Sequence, residues 1–153
     1  MVVYIASRLP LPLVPFRQDA PGFNVTELNQ HEEPVRRHFT LLHVRQAGSD
    51  TSCGCGFNEG RDPDVYDDPA AERADALRSS SQLADYVQEH RVEQIYSCWS
   101  GDEGEPQEFE RRITADTLVA EDFFFREREL FTIHDETAYQ SLEPSSSRCE
   151  VHA

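Results

Sequence analysis

The sequence predicts an α/β protein of the α+β type, with a mixed β-sheet that contains an antiparallel hairpin and a few short helices on one face. Three observations carry this. Runs of β-branched and aromatic residues with strand length recur at residues 2–6, 39–46, 92–99 and 127–133. Between two of the extended stretches lies Ala47-Gly48-Ser49-Asp50-Thr51, which is turn chemistry. Between the strand runs, Leu83, Tyr86, Val87 and His90 follow at helical spacing. Strands and helices interspersed in this way suit a sheet with helices packed on one face.

In chain order, residues 2–6 read as a buried strand, and Pro10, Pro12 and Pro15 mark an extended connection. Residues 23–28 alternate weakly as a strand, and residues 30–37 suit a short helix with Pro34 in its first turns. Residues 39–46 form a better strand, and residues 52–57 return beside it as the second arm of the hairpin. The acidic stretch 58–72 reads as a surface loop. Ser79 and Gln82 match a capping box that opens a helix running to about His90. Residues 92–99 are apolar on both faces and predict a central strand. Residues 101–110 read as a second acidic loop, and Thr114 caps a short helix around Leu118. Phe123-Phe124-Phe125 predict burial, and residues 127–133 a last strand. One domain over residues 1–134 and a polar tail over 135–153 complete the expectation.

Charge narrows the function. The chain carries 29 acidic and 14 basic residues, a formal net charge of −15. Duplex binding draws its affinity from cations that neutralise phosphates, so nucleic acid is not an expected partner, nor is an anionic membrane. All 14 basic residues are Arg. Without lysine, Schiff-base chemistry, a P-loop and a protein-kinase site are excluded. The first residues are apolar but lack a basic flank, and the prolines that follow interrupt any spanning run. A reducing, cytoplasmic location is therefore expected, with Cys53, Cys55, Cys98 and Cys149 as thiols or ligands.

The candidate site comes from the hairpin register. With a five-residue turn at 47–51, Arg45 faces Cys53 and His43 faces Cys55. Opposed side chains on one face sit within about 5 Å. If residues 92–99 lie alongside, Cys98 completes a set of Cys53, Cys55, Cys98 and His43, and thiolate with imidazole suits zinc. A thiol reading stands beside the metal reading: Arg45 near Cys53 would favour a thiolate. In a flat strand the two cysteine Cα atoms are about 6.6 Å apart, which a direct bond could not span without a bend. The plain alternative is that the cysteines are small core residues. Asp102, Glu103 and Glu105 read first as an exposed charged loop, although their place after a strand end could present a carboxylate to a ligand.

Ser52-Cys53-Gly54-Cys55-Gly56-Phe57, Cys98-Trp99-Ser100-Gly101-Asp102-Glu103 and Phe125-Arg126-Glu127-Arg128-Glu129-Leu130 together resemble motifs of a family of small bacterial proteins with no assigned activity. The resemblance implies a bacterial, cytoplasmic protein and treats Cys53, Cys55 and Cys98 as a unit. It implies no mechanism. Two functions are thus expected: a Cys/His site for a zinc-like metal or for thiol chemistry, or an acidic module, of inhibitor or immunity type, that binds a basic protein through loops 59–72 and 102–110. Clustered, half-exposed sulfurs would favour the first, and separated, buried sulfurs the second.

Overall fold

The computed structural model describes residues 1–61 and 64–135. Among these residues, six strands form one sheet in the order β2-β3-β1-β4-β6-β5. They are β1 (Val2–Ser7), β2 (Asn24–Thr26), β3 (His43–Gly48), β4 (Gln94–Cys98), β5 (Phe109–Ile113) and β6 (Glu129–Ile133). The helix α1 (Pro69–Glu89) joins the two halves of the described chain. All neighbours are antiparallel except β5 and β6, which run parallel, so the sheet is mixed, as expected. No helix among the described residues is long and apolar enough to cross a membrane.

β1 is the centre of the fold because every one of its residues is buried and both its edges are paired. Its alternation divides the core in two. Val3 and Ile5 point to the α1 side, where Leu83, Ala84, Tyr86 and Val87 meet Phe57, Phe123, Phe125 and Phe131. Val2, Tyr4 and Ala6 point to the other side with Val44, Tyr96, Cys98 and Leu130, under a lid made by Val35, Leu28, Phe39 and Leu41. Each fully buried aliphatic or aromatic side chain contributes about 1.5–3 kcal/mol, so these two layers hold the sheet.

Two expectations need correcting. The hairpin does not form. β3 pairs with β1 and β2, and Arg45 lies opposite Ile5, not Cys53. Residues 52–57 are not a strand: Ser52 turns back with φ of 65°, and Gly54–Asn58 winds into a 3₁₀ helix. β1, apolar on both faces, is the better partner for β3, and the glycines leave the return arm with little to bury. The second correction concerns α1, which begins ten residues before the predicted cap. Asp68 accepts from the Ala71 N–H at 3.2 Å and Pro69 occupies the first turn, so the start signal is Asp-Pro. Ser79 is buried mid-helix, where its hydroxyl accepts from the Asp50 N–H at 3.1 Å.

The short helix around Leu118 is a 3₁₀ turn, Ala115–Val119, in which the Thr114 N–H donates to the Thr117 hydroxyl. Phe123 and Phe125 are buried, but Phe124 between them is exposed. β5, with four exposed residues, arises where an acidic loop was expected. The tail beyond residue 135, with Cys149, lies outside the described residues.

Candidate functional site

The loop between β3 and α1 docks on the first residues of β1. Gly54 lies against Val3 so closely that an added Cβ would come within 2.8 Å of Val3 Cγ2. Ser49 ties the loop from inside: its hydroxyl donates to the Cys53 carbonyl at 2.7 Å, and the Ser49 N–H donates to the same carbonyl at 2.9 Å. Cys53 is extended, and the chain turns immediately after it, which brings residue 55 back beside residue 53.

Both sulfurs are half-buried. The Cys55 N–H donates to Cys53 Sγ at 3.3 Å, and the Thr51 hydroxyl lies 3.5 Å from the same sulfur. Cys55 Sγ sits 3.1 Å from the Met1 amine nitrogen and 3.4 Å from the Met1 carbonyl oxygen. Burial alone would push the Cys53 thiol up, but hydrogen bonds from Thr51, from the Cys55 thiol and from the Cys55 N–H outweigh it, and its pKa falls below the ordinary 9.0. Cys55 moves the other way, raised by burial and by the neighbouring Cys53 sulfur. One thiol of the pair is thus prepared to ionise while its neighbour keeps its proton.

The structure brings Cys53 and Cys55 together and leaves the other two expected ligands elsewhere. His43 lies opposite Ser7, and Cys98 opposite Val2, at the two ends of β1. Five residues of strand separate those positions, about 16 Å. Cys98 is fully buried on the face away from α1, beside Tyr4 and Tyr96. Burial and the nearby Glu103 and Asp102 carboxylates push its thiol up to about 12, so it stays a neutral core residue. Among the described residues, no three His, Cys, Asp or Glu side chains converge so that they could hold a metal ion. The set Cys53, Cys55, Cys98 and His43 therefore does not form one centre within this chain. Arg45, expected to activate Cys53, instead donates to the Val44 carbonyl at 3.2 Å.

Thr51 and Ser49, which shape the site, were legible only as turn residues. The Ser-x-Thr-x-Cys spacing of residues 49–53 was present, but only the fold shows both hydroxyls turned to Cys53. Met1 carried no signal, because its position follows from the pairing of β1. No protein-family model, curated protein or solved structure matches the chain.

Proposed function

We propose that the Cys53–Cys55 loop is a thiol-exchange site, with Cys53 as the attacking sulfur and Cys55 as the resolving one. The observation that carries this reading is the turn at residues 53–55, which folds residue 55 back so that its N–H donates to Cys53 Sγ at 3.3 Å, a closeness that a flat strand would not give. Clustered, half-exposed sulfurs also favour a site over the core-cysteine reading.

The chemistry needs a partner disulfide as oxidant and an external dithiol to reset the pair. The Cys53 thiolate attacks one sulfur of a partner disulfide, forms a mixed disulfide and releases the partner's other sulfur as a thiolate. Cys55 then gives its proton to solvent and attacks Cys53 Sγ. The mixed bond breaks, a Cys53–Cys55 disulfide forms, and the partner leaves with both sulfurs reduced. Two electrons pass from this chain to the partner, and an external dithiol returns them.

The test is a redox titration against glutathione on protein carrying Cys149→Ser, with the disulfide mapped by mass spectrometry after trapping. A reversible Cys53–Cys55 bond in folded protein is expected. Failure to form that bond under any oxidising ratio, or its formation only after unfolding, refutes the reading. Stoichiometric zinc retained by purified protein and lost in Cys53→Ser would instead make the loop part of a metal site.

A further inference from the structure

Away from the cysteine loop, on the sheet face opposite α1, two carboxylates are buried beside one cavity. The cavity, about 630 Å³, lies between the turn at residues 29–34 and the loop at residues 100–104, and Asn29, Glu32, Ser100, Gly101 and Glu103 contribute to its wall. Glu103 is 5% exposed and Glu32 is 8% exposed. Neither forms an ion pair among the described residues. A buried carboxylate without a counter-charge is costly, and a fold retains it where a partner repays the cost or where its oxygens are fully bonded.

The two carboxylates differ on that point. Glu103 is fully bonded: the Tyr4 hydroxyl donates to Oε1 at 3.0 Å and the Gly101 N–H donates to Oε2 at 2.9 Å. Burial and the two nearby carboxylates hold the Tyr4 phenol protonated, so it stays a donor. Glu32 is not fully bonded. Its Oε2 accepts from the Asn29 N–H at 2.9 Å, and Oε1 has no hydrogen-bond partner among the described residues. Glu32 thus keeps one accessible acceptor oxygen, on a residue that is otherwise more than nine-tenths buried, in the wall of a cavity.

None of the other polar groups nearby forms an ion pair with Glu32 or Glu103 among the described residues. His38 stacks on Tyr96 with ring centroids 4.0 Å apart, and its Nε2 meets the Glu103 carbonyl at 2.8 Å. Burial lowers its pKa, so the ring is neutral near pH 7. Arg37 is turned to the Gly104 carbonyl. Among the described residues no third His, Cys, Asp or Glu side chain converges on the two carboxylates. The volume is that of a site for a small molecule.

We propose that this cavity binds a small organic cation through a primary ammonium or guanidinium group paired with Glu32. Glu103, fixed by Tyr4 and Gly101, adds negative potential behind the contact. The net charge of −15 draws such a ligand toward the protein.

Trp99 provides the readout. It is the only tryptophan of the chain, it is exposed, and it directly precedes the cavity residues Ser100 and Gly101. Full-length protein at pH 8 is titrated with agmatine, putrescine, magnesium ion and an acetylated arginine-containing tripeptide. Trp99 fluorescence and the thermal midpoint are followed together. Saturable binding of agmatine or putrescine is expected, with affinity at least about tenfold weaker in Glu32→Gln, the loss expected when a charge-paired contact is removed. The amide of that variant keeps an oxygen for the Asn29 N–H, so its ligand-free thermal midpoint should equal or exceed the parent's. No saturation by either amine in both readouts overturns the proposal, as does equal affinity in Glu32→Gln. Saturation by magnesium alone replaces it with a metal site. Tighter binding of the tripeptide than of agmatine assigns the cavity to a basic protein instead of a small molecule. A lowered midpoint in ligand-free Glu32→Gln shows the carboxylate to be structural and also overturns it.

Discussion

Gly56 lies so close to Ser49 that a Cβ added to the glycine would stand 2.0 Å from the serine hydroxyl oxygen and 2.8 Å from its Cβ. That hydroxyl holds the Cys53 carbonyl, so the packing of one glycine is coupled to the geometry of the first thiol. Gly56→Ala should destabilise the protein by about 1–3 kcal/mol, the range for overpacking a closed site. Denaturant unfolding measures it. A change within about 0.5 kcal/mol, typical of surface positions, would mean that the loop has room to shift.

The thiols should react in a fixed order. In a Cys149→Ser background, iodoacetamide should modify Cys53 first, with a pH midpoint below the ordinary 9.0. Cys55 should follow with a midpoint above it. Cys98 should stay unmodified until the protein unfolds, because it is fully buried and its thiol is pushed up to about 12. Cys55→Ala should slow Cys53 at neutral pH, since one hydrogen-bonding thiol is lost although the residue 55 N–H remains. Peptide mapping over a pH series checks each step. Modification of Cys98 before Cys53 in folded protein would contradict the placement of all three.

How far these features were legible depended on whether they lay in side-chain pattern or in pairing. β1, β4 and β6 were legible because each concentrates apolar residues in a short run, and burial on both faces leaves no other reading. β5 was not. Its first residues, Phe109 and Glu110, read as the end of an acidic loop, Arg111-Arg112-Ile113 carried no strand signal, and the segment pairs along the parallel edge of β6, with Arg111 reaching back to Glu129 at 3.0 Å. The cysteine site was half legible. The adjacency of Cys53 and Cys55 survives, but it comes from a turn where a strand was expected. His43 was assigned to it through a register that β1 took instead. Glu103 was visible as a carboxylate after a strand end, whereas nothing in the sequence marked Glu32 as its neighbour, because residues 29–34 meet residues 100–104 only in the folded chain.

The mid-helix serine gives a test of the corrected helix start. Ser79→Ala removes the hydroxyl that accepts from the Asp50 N–H and should cost about 1 kcal/mol. Asp68→Ala removes the true cap and should cost a similar amount, about 0.5–2 kcal/mol. The two losses should add, since the residues serve different contacts nearly three helical turns apart. Thermal unfolding of the single and double variants reads this. A silent Asp68→Ala with a helix shortened to residue 79 in amide exchange would restore the later start.

Tyr4→Phe deletes only the hydroxyl that donates to Glu103. Glu103 Oε1 would then be buried without its donor, at a cost of about 1–3 kcal/mol. Glu103→Gln should be milder than Tyr4→Phe, because a neutral amide oxygen can still accept from either Tyr4 or Gly101. Equilibrium unfolding of both variants compares them. Tyr4→Phe without loss would mean that water serves Glu103 as well as the phenol does.

The pH dependence of stability should bear the mark of Glu32. Burial raises its carboxyl above the ordinary 4.5, the neighbouring Glu103 adds to the rise, and the Asn29 N–H offsets part of it. The folded state therefore holds this proton more tightly than the unfolded state. The contribution is fully present below the unfolded value and is lost as pH rises through the folded one, the reverse of a salt-bridged carboxylate. His38 nearby also contributes: its pKa, lowered by burial, costs stability as pH falls below its ordinary 6.5. A single stability curve would mix these. The difference between the parent and Glu32→Gln isolates Glu32, because the other groups are common to both. That difference should move in favour of Glu32→Gln as pH rises from about 4 toward neutrality, and then level off. Adding agmatine at pH 8 should reverse the order, since a cation that binds only the native ionised carboxylate stabilises the parent alone. A difference that stays flat with pH, or that moves against Glu32→Gln, would mean that the carboxylate is already balanced by a charge within the fold.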